Sequence, residues 1–190
     1  VSITLIEANL TRQVDNRLPD KAPAFFFIDI QPDQISSFDK IITGFDEISG
    51  HQRVPSLRGR IVKIAGKPVE KVNIASEAKW AVRGDRALTY AKQAPEGTKI
   101  VAGNWWPPNY MGESLISLDA NLAAGFGVGI GDTLTINILG REIETKISSL
   151  RHINWRTMRF DFAIIFAPGI LEGAPHSYIA AVRSPERQEA

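Results

Sequence analysis

Within residues 117–155 the hydrophobic period changes partway along, and that change restricts the folds open to the chain more than any other feature. Leu118, Leu122 and Phe126 recur at helical spacing behind Ser117 and Asp119, residue types suited to a helix's first turn, and Gly125 stands where the helix is expected to stop. After Gly131 and Asp132 the pattern alternates: Leu134, Ile136 and Ile138 against Thr133, Thr135 and Asn137, with Ile143 and Ile147 continuing the apolar set beyond Leu139, Gly140 and Arg141. A short helix running into a β-hairpin is therefore expected, which makes the chain a mixed helix and sheet protein.

The flanking segments agree. Residues 1–18 carry Ile3, Ile6, Leu10, Val14 and Leu18 on one helical stripe. Residues 25–30, FFFIDI, form a nearly continuous apolar run of the kind expected of a strand covered on both faces. Pro32 and Asp33 open a helix whose Ile35, Phe38, Ile41, Ile42 and Phe45 are expected to face the core, with Gly44 at its end, and residues 58–65 read as the next strand. Strand, helix, strand with short connections is a βαβ or split-βαβ unit. Residues 86–91 and 98–102 read as short strands around a turn at 94–97. Residues 160–166 read as a buried strand, 168–172 as a helical turn, 178–182 as a last strand, and 185–190 as the start of a helix. Trp105, Trp106, Pro107, Pro108, Asn109 and Tyr110 cannot be regular structure, because the prolines remove donors and bias their predecessors to extended backbone.

Composition narrows the function. The chain has 190 residues, 44% of them apolar, enough for a real core. Lys and Arg number 22 against 21 Asp and Glu, so no field favours nucleic acid, and no basic stripe with interleaved aromatics occurs. No window reaches the roughly 18 continuous apolar residues of a membrane span. With no cysteine, thiolate chemistry, disulfides and Cys-based zinc sites are all excluded.

The motifs that suggest chemistry fail on inspection. Glycines at 125, 127, 129 and 131 imitate a dinucleotide fingerprint, but Asp132 fills the last required position and the loop leaves a helix for a strand, the reverse of a phosphate loop. Gly66, Lys67 and Pro68 lack the spacing and hydroxyl of a P-loop. Ser114 lacks the second glycine of a nucleophile elbow, and His51, His152 and His176 stand in no metal or triad spacing. Asp29, on the same strand face as Phe25 and Phe27, reads as a solvent-facing strand-end residue, and Arg83, Gly84 and Asp85 as a turn. No catalytic, cofactor or metal residue is assigned. Trp105, Trp106 and Tyr110, large rings on a proline-fixed loop, are the candidate interaction surface, with a small core plug as the alternative.

Ala22 and Pro23 with FFFIDIQPDQ, then VPSLRGRIVKIAGKPV, RGDRALTY, IVAGNWWP, ISLDANLAAGFGVGIGDTLTINILGREI, SLRHINW and FAPGILEGAPHSYIAAV, in that order, closely resemble the first large extracytoplasmic domain of YbbP-type permeases. These are ABC-transporter permeases of the FtsX-like and MacB-like superfamily. The resemblance implies an α+β fold, with a Porter-like split βαβ (ferredoxin-like) part and an inserted β-rich Sabre-like subdomain. Residues 1–22 would be a membrane-proximal helix, 23–66 and 156–190 the Porter-like part, cut short at its C-terminus, and 67–155 the insertion. It implies a periplasmic domain of an inner-membrane protein, not an enzyme and without cofactor, that moves with a cytoplasmic ABC ATPase subunit. A second periplasmic domain of the same permease, and a periplasmic partner protein or lipid-like substrate, are the other expected partners; no nucleic acid is. The rival expectation is a free-standing periplasmic hydrolase using Ser114 and a histidine.

Overall fold

The computed structural model describes residues 25–46, 48–153 and 161–183; the expected helices at 1–18 and 185–190 lie outside these residues, as does Phe160. Ten strands, β1 Phe25–Ile30, β2 Gly50–Ile64, β3 Lys67–Pro68, β4 Arg86–Tyr90, β5 Lys99–Gly103, β6 Leu115–Asp119, β7 Thr133–Ile138, β8 Arg141–His152, β9 Ile164–Phe166 and β10 Ser177–Arg183, dominate it. Two short α-helices accompany them, α1 Ile35–Thr43 and α2 Ala120–Phe126, with 3-10 turns at Pro32–Gln34, Val69–Lys71 and Ser76–Val82. The chain is α+β and sheet-rich.

Two parts share one long strand. The first half of β2 pairs antiparallel with β10, which pairs antiparallel with β1. β1 and β2 are thus parallel, joined through α1, with β10 slotted between them: a split βαβ unit. The second half of β2 turns into a closed ring. β2 pairs with β4, β4 with β9 in parallel, β9 with β6, β6 with β8 in parallel, β8 with β7, and β7 back with β2. A ring closed in this way leaves no sheet edge among its six members. β5 lies outside it, on β8. β2 therefore runs through residues 57–64 into the barrel, and β9 sits within the ring beside strands from the 67–155 segment.

The barrel interior is filled by alternation. Leu57, Ile61, Leu88, Ile116, Leu118, Leu134, Ile136, Ile147, Ile164 and Phe166 belong to one buried cluster, closed at one end by Leu122 and Phe126 of α2. Gly59 is required here, because a Cβ would stand 2.6 Å from Leu88 Cδ1 and 2.9 Å from Ile138 Cγ1.

Several sequence expectations change. Asp119 is the N-cap of α2, accepting from the amides of Asn121 and Leu122, so Ser117 stays in β6. The helix stops at Gly127 with φ 68°, not at Gly125. Gly125 serves a different purpose: a Cβ there would lie 2.4 Å from Ala78 Cβ, where α2 crosses the Ser76–Val82 turn. β1 is not covered on both faces; Ile28 is 76% exposed and Phe25, Phe26 and Phe27 remain accessible. In α1, Phe38 contacts Phe27 and Ile42 is buried, but Ile41 is exposed, as is Phe45 just beyond the helix. Residues 168–172 form turns and bends instead of a helical turn.

Candidate functional site

Residues 105–110 are irregular, as the prolines require, yet the loop does not present all its rings to solvent. Trp106 is 4% exposed and packs with Phe162, Ile165 and Ala167, while its indole N–H donates to Ala91 O at 2.8 Å. It is a core residue, which corrects the surface expectation for this position. Ile165 pairs with Ser117 on β6 and points away from the barrel interior, where Phe166 and Ile164 lie, so Trp106 covers the outer face of the ring. Val54 of β2 and Ile179 of β10 pack against the same cluster. The ring therefore wedges barrel against split βαβ unit, the satisfied N–H removing the cost of burying an indole. Trp105 and Tyr110 are half-buried around it. The Trp105 ring centroid is 4.1 Å from that of Trp106, its N–H reaches Lys92 O at 3.3 Å, and the Tyr110 hydroxyl donates to Glu113 O at 2.9 Å.

The groups a hydrolase would need are not brought together. The buried Ser114 Oγ makes no hydrogen bond among the described residues. His51 is engaged with Asp39 at 3.3 Å, and His152 ends β8. His176 stands between two phenols: Nδ1 lies 2.7 Å from Ala174 O, so it carries the proton, and Nε2 lies 3.1 Å from the Tyr178 hydroxyl and 3.3 Å from that of Tyr90. Burial first, then the nearby Tyr178 and Glu172, pushes the Tyr90 phenol up to about 12. Arg53 stacks over Tyr178 and also donates to Asp39, fastening α1 to β2. The Arg53 hydrogen bond holds the Asp39 carboxyl below the usual range, helped by the charges of Arg53 and His51. Asp29 is exposed, with φ 60°, and accepts from the Gln31 amide. No group of His, Asp and Glu that could hold a metal ion occurs among the described residues.

Sequence reading missed a buried polar seam. Asp119 and Arg151 are in register on β6 and β8, respectively 1% and 3% exposed, and Ser149 donates to Ser117 two residues earlier at 2.9 Å. Arg151 Nη2 donates to Phe162 O. Burial lowers the guanidinium to about 10, with Asp119 and Asp161 working against that shift. Among the described residues, Asp119 Oδ2 and Arg151 Nε have no hydrogen-bond partner. Asp119 also lines a cleft of about 400 Å³ with Glu77, Trp80, Asn121, Leu122 and Ala124. Alternation along β8 could not have placed Arg151, because the register shifts between the Ile116–Ile147 and Ser117–Ser149 pairs, so Ser149 and Arg151 lie on the face opposite Ile147 although the spacing is two.

No helix among the described residues is long and apolar enough to cross a membrane. No protein-family model matches the chain. Among curated proteins it is similar to the uncharacterized ABC transporter permease YbbP of Escherichia coli (strain K12), at 29% identity over 181 residues. That match takes in 95% of this chain and 21% of the relative, so the chain spans about a fifth of the length of the curated relative it matches. Covering nearly all of the chain, the likeness takes in both the split βαβ unit and the barrel, and it is a likeness to part of an ABC transporter permease.

Proposed function

We propose that the chain is an extracytoplasmic, periplasmic domain of an ABC transporter permease of the FtsX-like and MacB-like kind. In this reading a cytoplasmic ATPase subunit hydrolyses ATP, and the movement reaches this domain through the membrane part of the permease. The domain then acts on a hydrophobic or lipid-like substrate, or on a periplasmic partner protein, together with a second periplasmic domain of the same permease. The single observation that supports the reading is the similarity to YbbP over 95% of the chain. The split βαβ unit corresponds to the Porter-like, ferredoxin-like part, and the barrel, which includes the end of β2 and β9, to the Sabre-like subdomain. Trp105 and Tyr110, on the rim of the buried Trp106, are the side chains offered to cargo or partner. In this reading the domain carries out no chemistry of its own.

The absence of cysteine makes the test clean, because two introduced cysteines are the only labelling sites in this segment. Spin labels at the exposed positions Ser36 and Lys92 are placed in the intact permease with its ATPase in lipid vesicles. A label-to-label or label-to-membrane distance that changes between nucleotide-free and ATP-trapped states is expected; identical distributions in both would refute the coupling role. Screening the domain against generic esters and peptides should find no turnover that Ser114→Ala abolishes.

A further inference from the structure

The place where β2 changes partners is bridged by side chains that the transport reading leaves unused. β10 pairs with β2 as far as Ser177 and Ser56, and β4 takes over at Leu88 and Leu57. Pro55, opposite Tyr178, has no N–H to give the ladder, so part of the junction falls to side chains. The Thr89 hydroxyl donates to Pro55 O at 2.7 Å. Tyr90, the last residue of β4, and Tyr178 of β10 both reach His176 Nε2, at 3.3 Å and 3.1 Å, and the two phenols are within hydrogen-bonding reach of each other. The imidazole meets the Tyr90 ring edge to face, with centroids 5.7 Å apart. His176 thus touches the barrel through Tyr90 and the split βαβ unit through Tyr178. The next residue on each strand leads to the Trp106 wedge: Ala91 O accepts its indole N–H, and Ile179 packs against its cluster.

The cluster closes its hydrogen bonds only while the histidine is neutral. Nδ1 keeps its proton on Ala174 O at 2.7 Å, which leaves the Nε2 lone pair to accept the phenolic protons, directly or through the other hydroxyl. Once protonated, Nε2 donates and accepts nothing. One phenol can then accept from it and pass its own proton to the other, but the last phenolic proton has no acceptor in the cluster. That proton is not shed instead, because burial above all, with Tyr178 and Glu172 nearby, pushes the Tyr90 phenol up to about 12. A half-buried donor left unpaired is costly, so the contact is driven to open. The charged groups that face the cluster are Glu172, on the turns before β10, whose oxygens both accept from the Gly169 amide, and Arg53 of β2, which stacks over the Tyr178 ring and donates to Asp39 of α1. Among the described residues neither is hydrogen-bonded to a phenol of the cluster.

We propose that His176 is a proton-sensitive clasp: neutral, it ties β4 of the barrel to β10 of the split βαβ unit, and on taking a proton it releases one phenol and loosens that junction. The clasp is independent of the transport reading and can fail or stand without it. The test follows the 190-residue chain by NMR from about pH 8 to about pH 5, the range in which histidines ionise. The His176 ring resonance gives the midpoint, and the Trp106 indole N–H with the amides of Ala91, Tyr178 and Ile179 gives the response. These resonances are expected to move with the His176 midpoint. Below it, the protection factors of the three amides should fall roughly threefold or more, the scale of one lost hydrogen bond, while Ile136 in β7 shows no step. Tyr90→Phe removes the surplus proton, so the step should vanish there although the histidine still titrates. His176→Gln keeps an acceptor but takes no proton and should lose the step as well, whereas His51→Gln should keep it. The two variants are read separately, so if either fails to fold, the parent titration and the other still decide. A His176 that takes no proton in this range, reporters that stay still while it titrates, or a step that survives in Tyr90→Phe or His176→Gln overturns the proposal.

Discussion

At the scale of single residues, Trp106 carries the clearest energetic consequence. A fully packed Trp with a satisfied N–H, cut back to Ala, typically costs about 3–5 kcal/mol, which for a chain of this size is a fall in melting midpoint of roughly 6–20 °C. The double change Trp105→Ala/Tyr110→Ala should cost less than half as much, since both rings are half-buried, but it should not be neutral, because it uncovers Trp106. Thermal melts of the two variants decide the matter; a Trp106→Ala midpoint close to that of the parent would remove the ring from the core. Asp39 gives a pH prediction. Its carboxyl is depressed by Arg53, so the pair's contribution is present above the ordinary carboxylate value of about 3.9 and is lost as the pH falls through the lower native value. Asp39→Asn should therefore be less stable than the parent at neutral pH, with the gap closing below about pH 4. The effect should shrink in high salt, since the side chain is about one-third exposed. A gap that stays constant down to the acid transition would show that the pair contributes nothing through ionisation.

At the scale of elements, the hairpin was legible and the helix ends were not. The two-residue link between β7 and β8 has positive φ at both Leu139 and Gly140, 50° and 85°, as the twist of a tight hairpin demands. Alternation and a glycine sufficed to place it. Leu139 is nonetheless a poor residue for left-handed backbone, and it is exposed. Leu139→Asn should stabilise the chain by about 0.5–1 kcal/mol, seen as a higher urea midpoint at unchanged slope; a lower midpoint would mean that the leucine makes a contact worth more than the strain. The helix boundary failed for a reason that sequence spacing does not carry: Gly125 is demanded by Ala78, some fifty positions earlier in the chain, and not by a helix stop. The exposure of β1 and of Ile41 and Phe45 was likewise invisible, because an apolar run reads the same whether or not anything covers it.

At the scale of the whole molecule, what the sequence could not reveal is closure. β2 looks like a strand of moderate length because Gly50, Pro55 and Gly59 interrupt its pattern, yet it runs unbroken from Gly50 to Ile64 and exchanges partners along the way, β10, then β4, then β7. Pro55 is accommodated beside Tyr178, and Gly59 opens room inside the ring. Only the long-range pairings decide that β7 returns to β2 and completes the barrel. That arrangement predicts two tiers of stability. The ring has no free edge and one continuous interior cluster, so amides such as Ile136, Leu118 and Ile147 open only with global unfolding. Among the described residues, the split βαβ unit rests on far less buried apolar surface, chiefly Ile30, Ile42 and residues 180–182, and on the Asp39 to Arg53 contact. Amides of β1 and α1 should therefore exchange through local opening, orders of magnitude faster than the barrel, while the first half of β2 lies between, held by the ring at one end. Trp106 is the wedge between the two tiers, so Trp106→Ala should accelerate exchange in β10 and the first half of β2 more than in β7. Exchange at one common rate across both parts, and an equal acceleration in all strands of the variant, would show a single cooperative unit in which the barrel holds no reserve of stability over the sheet attached to it.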